Sequence, residues 1–339
     1  MIVLGFHGGY KREDEDEPLP FAWHDSAAVL LRDGEVLAAI EEERLDRIKH
    51  SNAFPGRALR HCLELGGVSV RDVDYIAINS AQEIVNSRDR AVLLEDAAAA
   101  IPTRNAETLS RLLGHTLGVD VTAKLRFCHH HVAHAWSAYA PSGFGDSLIL
   151  SIDGEGDGSS GMVLVGRGGT LQLVRNFSTA QSLGHFYQQL IGFLGCQRFD
   201  EYKVMALASY GDKEVFAPLF AKWYRLLPDG NYELANRLRW FQDLSASGMI
   251  AKARRREEPF TQLHKDFAAA LQASLEHIVM HVLRHHQKVT GQTNLCLAGG
   301  VAHNCSVNGQ IFYSSLFRNV YVQPCAHDAG AHSARHGRC

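Results

Sequence analysis

Two segments of the chain share one pattern of apolar runs and tight turns, and this pattern constrains the fold more than any other feature. In the first segment, an apolar run at residues 1–6 precedes two further runs that flank Asp33 and Gly34. An Asp-Gly pair between apolar runs is a strong signal of a β-hairpin. The second segment begins with an apolar run at 145–154 and continues as a meander. Each segment therefore predicts three consecutive strands.

Helical patterns follow both copies, and the repetition predicts an internally duplicated α/β fold. This order of elements resembles the two ribonuclease-H-like lobes of sugar kinases, actin and heat-shock-chaperone ATPase domains, which bind a nucleotide in the cleft between the lobes. We predict a first lobe over residues 1–145 and a second over 146–339, with a helical insertion near 212–260. Apolar residues at helical spacing predict a long amphipathic helix over 260–290.

Length and composition exclude several classes of protein. The 339 residues exceed one typical domain, and 46% hydrophobic with 21% charged residues is typical of a globular protein. A net charge of −3 gives no general attraction to nucleic acid or anionic membranes. No apolar run is long enough to span a membrane. The seven cysteines form no CxxC pair, so we predict reduced thiols and a cytoplasmic protein.

Four histidines within six residues mark the segment that we predict to hold a metal ion. They are His129, His130, His131 and His134. On a helix, His130 and His134 stack on one face and can bind one ion, although His131 and His134 also share a face. A lone histidine is more often packed or solvated, but this density favours a metal site.

Two aspartates follow predicted strands and are candidates for the other ligands. Asp153 precedes Gly154 at the end of a strand, and Asp328 comes after the last strand. If the two lobes face each other, both carboxylates can meet His130 and His134 at one ion, although each alone could equally cap a turn. Imidazole with carboxylate suits a catalytic divalent ion better than a closed structural zinc site.

Other residues are candidates for binding a nucleotide. Gly299 and Gly300 lie between a strand and a helix, where a ligand can approach the backbone and a helix N-terminus favours anions. Asn304 ends the same block. Lys49 and Lys203 are candidate phosphate contacts, although a single lysine usually lies on the surface.

His24 is the candidate general base, because imidazole titrates near neutral pH. The following Asp25 either orients His24 or caps a turn. The charged tract at 11–17 predicts an exposed loop.

Five sequence blocks, taken together and in order, resemble the O-carbamoyltransferases of antibiotic and nodulation-factor biosynthesis. The blocks are HDSAA (24–28), EEERLDRIKH (41–50), HHVAHAWSA (130–138), KVMALASYG (203–211) and AGGVAHN (298–304). They extend over nearly the whole chain. The resemblance also implies a lobe pair like that of the threonylcarbamoyl-transferring tRNA-modification enzymes.

The resemblance implies an activity and a site. Members transfer a carbamoyl group from carbamoyl adenylate to a hydroxyl of a small-molecule acceptor, and His24 matches the proposed base. A divalent ion, iron or another, is expected on His130, His134, Asp153 and Asp328. The family forms carbamoyl adenylate from carbamoyl phosphate and ATP in a further domain.

The chain departs from the family pattern at its end and at two positions. It stops at Cys339, so we predict a truncated second lobe, an absent donor-forming domain and a separate domain as partner. His303 replaces a leucine and Ala206 replaces a glycine.

A transferase acting on tRNA is a second hypothesis, which the net charge and Glu41–Glu43 disfavour. A non-catalytic nucleotide-binding remnant is a third. A sugar kinase is a less favoured hypothesis, because kinases of this fold do not need the paired histidines.

Overall fold

A computed structural model describes residues 1–9, 24–83 and 106–331. The loop predicted at 11–17 lies outside these residues. In chain order the strands are β1 (Ile2–His7), β2 (Ala27–Arg32), β3 (Glu35–Glu41), β4 (Tyr75–Ile78), β5 (Leu125–Phe127), β6 (Asp146–Gly156), β7 (Ser159–Arg167), β8 (Thr170–Ser178), β9 (Tyr224–Leu227), β10 (Asn231–Leu234), β11 (Asn294–Ala298) and β12 (Asn319–Val322).

Helices follow both groups of strands, as the sequence predicts. They are α1 (Glu43–Asp46), α2 (Gly56–Leu65), α3 (Ala106–Leu117), α4 (His130–Tyr139), α5 (Leu183–Leu190), α6 (Glu201–Ala208), α7 (Ala217–Phe220), α8 (Arg237–Ala246), α9 (Gln262–Thr290), α10 (Cys305–Tyr313) and α11 (Asp328–Ala331). Short 3-10 turns connect several of these elements.

The chain divides into two compact units. Among the described residues, the first unit takes those up to 143, then 156–158 and 322–331, and the second takes Phe144–Glu155 and Ser159–Tyr321. The end of the chain thus groups with the first unit rather than with residues 146–321, because α11 contacts β1 and α4.

The first unit contains a five-stranded sheet in the order β3-β2-β1-β4-β5. β2 pairs antiparallel with β1 and with β3, whereas β4 runs parallel to β1 and β5 runs parallel to β4. Asp33 and Gly34 connect β2 to β3 with φ angles of 51° and 85°. Positive φ at both central residues is what a type I′ hairpin turn requires, so the predicted hairpin is confirmed.

The core of the first unit lies between this sheet and helix α2. Leu4 and Leu30 on the strands and Leu59 on α2 are fully buried in one cluster. Burying a leucine side chain contributes about 2 kcal/mol, so α2 is held mainly by its apolar face. The sheet is thereby fixed, and the carboxyl ends of β1 and β4 come to lie side by side.

The second unit contains a five-stranded sheet in the order β12-β11-β6-β7-β8. β7 pairs antiparallel with β8, and β11 runs parallel to β6. A three-strand meander followed by two further strands on the other side of its first strand is the arrangement of the first sheet as well. The duplicated ribonuclease-H-like fold predicted from the repeated pattern is therefore confirmed.

The 29-residue helix α9 confirms the prediction of a long amphipathic helix. It begins at Gln262, because Thr261 and His264 form a capping box, and it ends before Gly291, whose φ is 67°. Phe267 and Leu271 on its buried face are fully enclosed. The region predicted as an insertion near 212–260 forms the hairpin β9–β10 together with α7 and α8.

Two further observations concern the whole of the described chain. None of the helices in the described ranges combines the length and the apolar character needed to cross a membrane. Among the described residues, Cys62, Cys196, Cys296, Cys305 and Cys325 are free thiols. These five cysteines match the prediction of reduced thiols.

Candidate functional site

The N-terminus of helix α4 is fixed by a buried carboxylate. Asp157 accepts hydrogen bonds from the backbone N–H of His130 at 2.8 Å, from Ser80 Oγ at 2.8 Å and from the backbone N–H of Ala81 at 2.8 Å. A negative charge is favourable at a helix N-terminus, where the first N–H groups lack partners within the helix. The histidine-rich helix therefore begins at a defined place beside the residues that follow β4.

Two histidines of α4 and Asp328 of α11 bring three donor atoms together in the first unit. The Nε2 atoms of His130 and His134 lie 3.1 Å apart. Asp328 Oδ1 lies 3.4 Å from His130 Nε2 and 3.3 Å from His134 Nε2. Both imidazoles are buried. The sequence predicted all three residues, although Asp328 is far from the histidines along the chain.

These separations fit one metal ion. Donor atoms bound at about 2.1 Å lie about 3.0–3.4 Å from one another in octahedral or tetrahedral geometry. The rings of His130 and His134 have centroids 4.6 Å apart, whereas those of His131 and His134 are 6.1 Å apart. The geometry thus favours the i, i+4 pair over the alternative pair with His131.

Gly156, the last residue of β6, lies directly against the ring of His130. A Cβ atom added at this glycine would come within 2.0 Å of His130 Cδ2 and 2.6 Å of His130 Nε2. No other residue type fits there without moving the imidazole. The glycine therefore allows His130 to occupy its position next to His134 and Asp328.

His7, at the end of β1, belongs to the same cluster and was not among the predicted residues. Its Nε2 lies 3.4 Å from Asp328 Oδ2 and 2.9 Å from the backbone oxygen of His24, and its Nδ1 lies 2.8 Å from Asn79 Oδ1. Burial lowers the pKa of His7, and the charge of Asp328 opposes this only in part. Its position at the carboxyl end of a central strand was the available signal.

His24 forms a hydrogen-bonded row with Asp25 and His50. Asp25 Oδ2 lies 2.7 Å from His24 Nδ1, and Asp25 Oδ1 lies 2.7 Å from His50 Nδ1. Burial raises the pKa of Asp25, but the hydrogen bond and charge of His24, followed by His327 and His50, outweigh it and hold the pKa below its usual value. An ionised carboxylate only accepts hydrogen bonds, so both Nδ1 atoms donate.

This row determines how His24 can react. In a neutral imidazole whose Nδ1 carries the proton, Nε2 presents a lone pair. His24 Nε2 lies 3.9 Å from Asp328 Oδ2, and about a quarter of the His24 side chain is exposed. Asp25 itself has a φ of 57°, which is uncommon for a residue with a side chain and often accompanies a functional constraint.

Asp153, the fourth predicted ligand, lies in the second unit. Its Oδ1 accepts a hydrogen bond from the backbone N–H of Gly154 at 2.6 Å. A Cβ atom at Gly300 would lie 3.0 Å from the same oxygen. The carboxylate is partly buried, and Asp153 lies within β6, which continues to Gly156 instead of ending at Asp153 and Gly154 as predicted. The structure therefore places Asp153 beside Gly300, and its role as a ligand stays a prediction.

The other residues predicted to contact a nucleotide have structural roles within the second unit. Gly299 has a φ of 89°, and a Cβ atom there would lie 2.2 Å from the backbone oxygen of Ile152. Asn304 caps α10 by accepting from the backbone N–H of Val307 at 3.0 Å. It also donates to Gln272 Oε1 at 2.9 Å. Both residues thus have structural roles, and their contacts with a nucleotide stay predictions.

The two predicted lysines are on the surface of their units. Lys49 is exposed in the segment between α1 and α2. Lys203 forms an ion pair of 2.6 Å with Asp200, and this hydrogen bond raises the pKa of Lys203. Contacts of Lys49 or Lys203 with phosphate stay predictions.

Comparison with known proteins gives a consistent result. The sequence model of a family described as "Carbamoyltransferase N-terminus" matches residues 19–334. The chain is 45% identical over 336 residues to nodulation protein NolNO of Sinorhizobium fredii, which covers 97% of this chain and 48% of that protein. It is 50% identical over 204 residues to nodulation protein NolO of Bradyrhizobium diazoefficiens, covering 60% of this chain and 36% of that protein.

A solved structure supports the fold. Component A of (R)-2-hydroxyglutaryl-CoA dehydratase from Acidaminococcus fermentans aligns with a TM-score of 0.50 and 13% identity, over 98% of this chain and 96% of that protein. At this identity the match concerns the fold alone. The chain spans about half the length of the full nodulation relative it matches. By its match over nearly its whole length, the chain belongs to the carbamoyltransferase family and corresponds to the amino-terminal part of its members.

Proposed function

We propose that this chain transfers a carbamoyl group from carbamoyl adenylate to a hydroxyl of a small-molecule acceptor. Membership of the carbamoyltransferase family supports the reaction class. The observation that carries the assignment of roles is the hydrogen bond of 2.7 Å between His24 and Asp25, which leaves His24 Nε2 as the accepting atom beside Asp328.

His24 acts as the general base in this proposal. Its Nε2 takes the proton of the acceptor hydroxyl while the hydroxyl oxygen forms a bond to the carbamoyl carbon. The bond between that carbon and the phosphate oxygen breaks, and AMP leaves with the electron pair. Asp25 keeps the proton on Nδ1 and stabilises the imidazolium that forms, as a carboxylate does for a catalytic histidine elsewhere.

A divalent ion fits the donor set of His130, His134 and Asp328, whose separations of 3.1–3.4 Å match ligands of one ion. We propose iron or another divalent ion there, with Asp153 of the second unit as the fourth protein ligand. When bound, it supplies a Lewis acid that polarises the donor's oxygens. Asp328 holds Oδ1 towards the two histidines and Oδ2 towards His7 and His24.

The proposed donor and acceptor are those that the resemblance to O-carbamoyltransferases implies. Carbamoyl adenylate arises from ATP and carbamoyl phosphate, and we propose that a separate donor-forming domain supplies it. Lys49, Lys203, Gly299, Gly300 and Asn304 are the proposed contacts of the nucleotide. Two of the most similar relatives are named nodulation proteins. We therefore favour an acceptor in nodulation-factor biosynthesis over an antibiotic precursor.

The test measures transfer from preformed carbamoyl adenylate to a hydroxyl acceptor by His24→Asn. Loss of a general base typically costs 10²- to 10⁴-fold, so we expect the rate to fall by at least about 100-fold. His61→Asn, a histidine on α2 outside the cluster, is the matched control and should keep the wild-type rate. Transfer by His24→Asn at the wild-type rate would remove His24 as the base.

A further inference from the structure

A second group of metal-binding side chains lies in the first unit, apart from the two histidines of α4. Glu41 ends the edge strand β3, and Cys325 and His327 lie in the loop between β12 and α11. His327 Nε2 is 3.6 Å from Cys325 Sγ and 3.7 Å from Glu41 Oε1. One ligand atom from each of the three residues falls within 4.8 Å of the others.

The two separations measured from His327 Nε2 match a tetrahedral zinc site. Bonds of about 2.3 Å to sulfur and about 2.1 Å to nitrogen and oxygen place a sulfur and a nitrogen ligand about 3.6 Å apart, and a nitrogen and an oxygen about 3.4 Å apart. The observed 3.6 Å and 3.7 Å therefore need an adjustment of only a few tenths of an ångström. Glu41 and His327 have flexible side chains that are about a quarter exposed, so this adjustment is available.

The other nitrogen of His327 is placed for a supporting contact. His327 Nδ1 lies 3.6 Å from Asp25 Oδ2, and the backbone N–H of Ala329 lies 3.2 Å from the same nitrogen. A histidine that binds zinc through Nε2 carries its proton on Nδ1 and commonly donates it to a carboxylate. A proton on Nδ1 would face Asp25 Oδ2 at 3.6 Å in place of the hydrogen bond that Nδ1 accepts from Ala329.

We propose that Glu41, Cys325 and His327 bind a zinc ion at a site separate from His130, His134 and Asp328. Thiolate, imidazole and carboxylate together suit zinc, whereas magnesium and calcium prefer oxygen ligands alone. Three protein ligands leave the fourth position to water or to an oxygen of a bound molecule. Because zinc needs a thiolate, binding releases the proton of Cys325 to solvent.

The experiment titrates the metal-free full chain with Co²⁺ as a spectroscopic substitute for Zn²⁺. A thiolate bound to Co²⁺ gives a charge-transfer band in the near ultraviolet, which the sulfur-free group of α4 lacks. We expect this band in the wild type and its displacement by Zn²⁺. We also expect loss of the band in Cys325→Ser and one bound ion fewer in that variant. Cys305→Ser, which alters an exposed thiol of the second unit, is the matched control and should keep the band.

Alkylation of the wild-type chain provides a second test, which does not depend on whether a substituted variant folds. Zn²⁺ should slow the alkylation of Cys325 at least about tenfold and leave that of Cys305 unchanged, as read for each cysteine by mass spectrometry. A wild type without the thiolate band, a band that survives Cys325→Ser, or equal alkylation of Cys325 with and without zinc would each overturn the site.

Discussion

The contact between Gly156 and His130 makes a prediction about metal binding that does not depend on the reaction. In Gly156→Ala, the new methyl group would lie 2.0 Å from His130 Cδ2 and 2.2 Å from Cγ. The φ of Gly156 is not positive, so alanine meets no backbone strain there. The whole effect of the substitution must therefore come from displacing the ring.

The size of the displacement follows from the distances. Ordinary contact with a Cβ atom begins near 3.4 Å, so the nearest ring atoms must retreat by well over 1 Å. Metal sites require ligand distances within about 0.2 Å of their ideal values. The Nε2 atom of His130 would leave the position from which it faces His134 and Asp328. We expect metal affinity to fall at least about tenfold, and overpacking to cost about 1–3 kcal/mol of folding free energy.

The assay measures the metal content of Gly156→Ala after equilibration in a metal buffer, together with urea unfolding of the metal-free chain. Gly309→Ala is the matched control: it lies in the helix α10, and apart from its chain neighbours and the backbone of this helix no atom lies within 4 Å of its added Cβ. This control should keep the metal and be slightly stabilised. Wild-type affinity and stability in Gly156→Ala would refute the argument that His130 is held against Gly156.

Two further predictions concern buried polar groups. In Asp25→Asn the amide can present a donor to His24, which disfavours the tautomer with the proton on Nδ1. The kcat for transfer should therefore fall by about 10²- to 10⁴-fold with KM little changed. An equal change in kcat and KM would contradict a positioning role for Asp25. Burial, followed by the charge of His285, lowers the pKa of His286 to about 4, so the folded chain keeps this ring neutral while the unfolded chain takes up a proton. The free energy of unfolding should therefore fall by about 2–3 kcal/mol as the pH drops from 6.5 to 4, and His286→Leu should flatten this part of the curve in urea unfolding.

The local pattern of the sequence was enough to predict the repeated strands and the helix of the histidines. An Asp-Gly pair between apolar runs favours a hairpin, and the spacing of His130 and His134 puts both rings on one face of any helix. These properties depend on neighbouring residues alone. Sequence therefore determined the order of elements in both units and half of the candidate metal group. The positions of Asp153, Asp328 and His24 beside predicted strands made them candidates, and the resemblance of five blocks implied the same residues.

Only the tertiary structure decided which distant side chains meet. It placed His7 against Asp328, connected His24 to His50 through Asp25, and surrounded Asp153 with the glycines of its own unit. None of these contacts has a periodic signature, because the residues reach each other through strand pairing and not along one element. The physical reason is that a sheet brings the ends of separate strands to one edge, whereas sequence spacing encodes only the face of each strand or helix on which a residue lies.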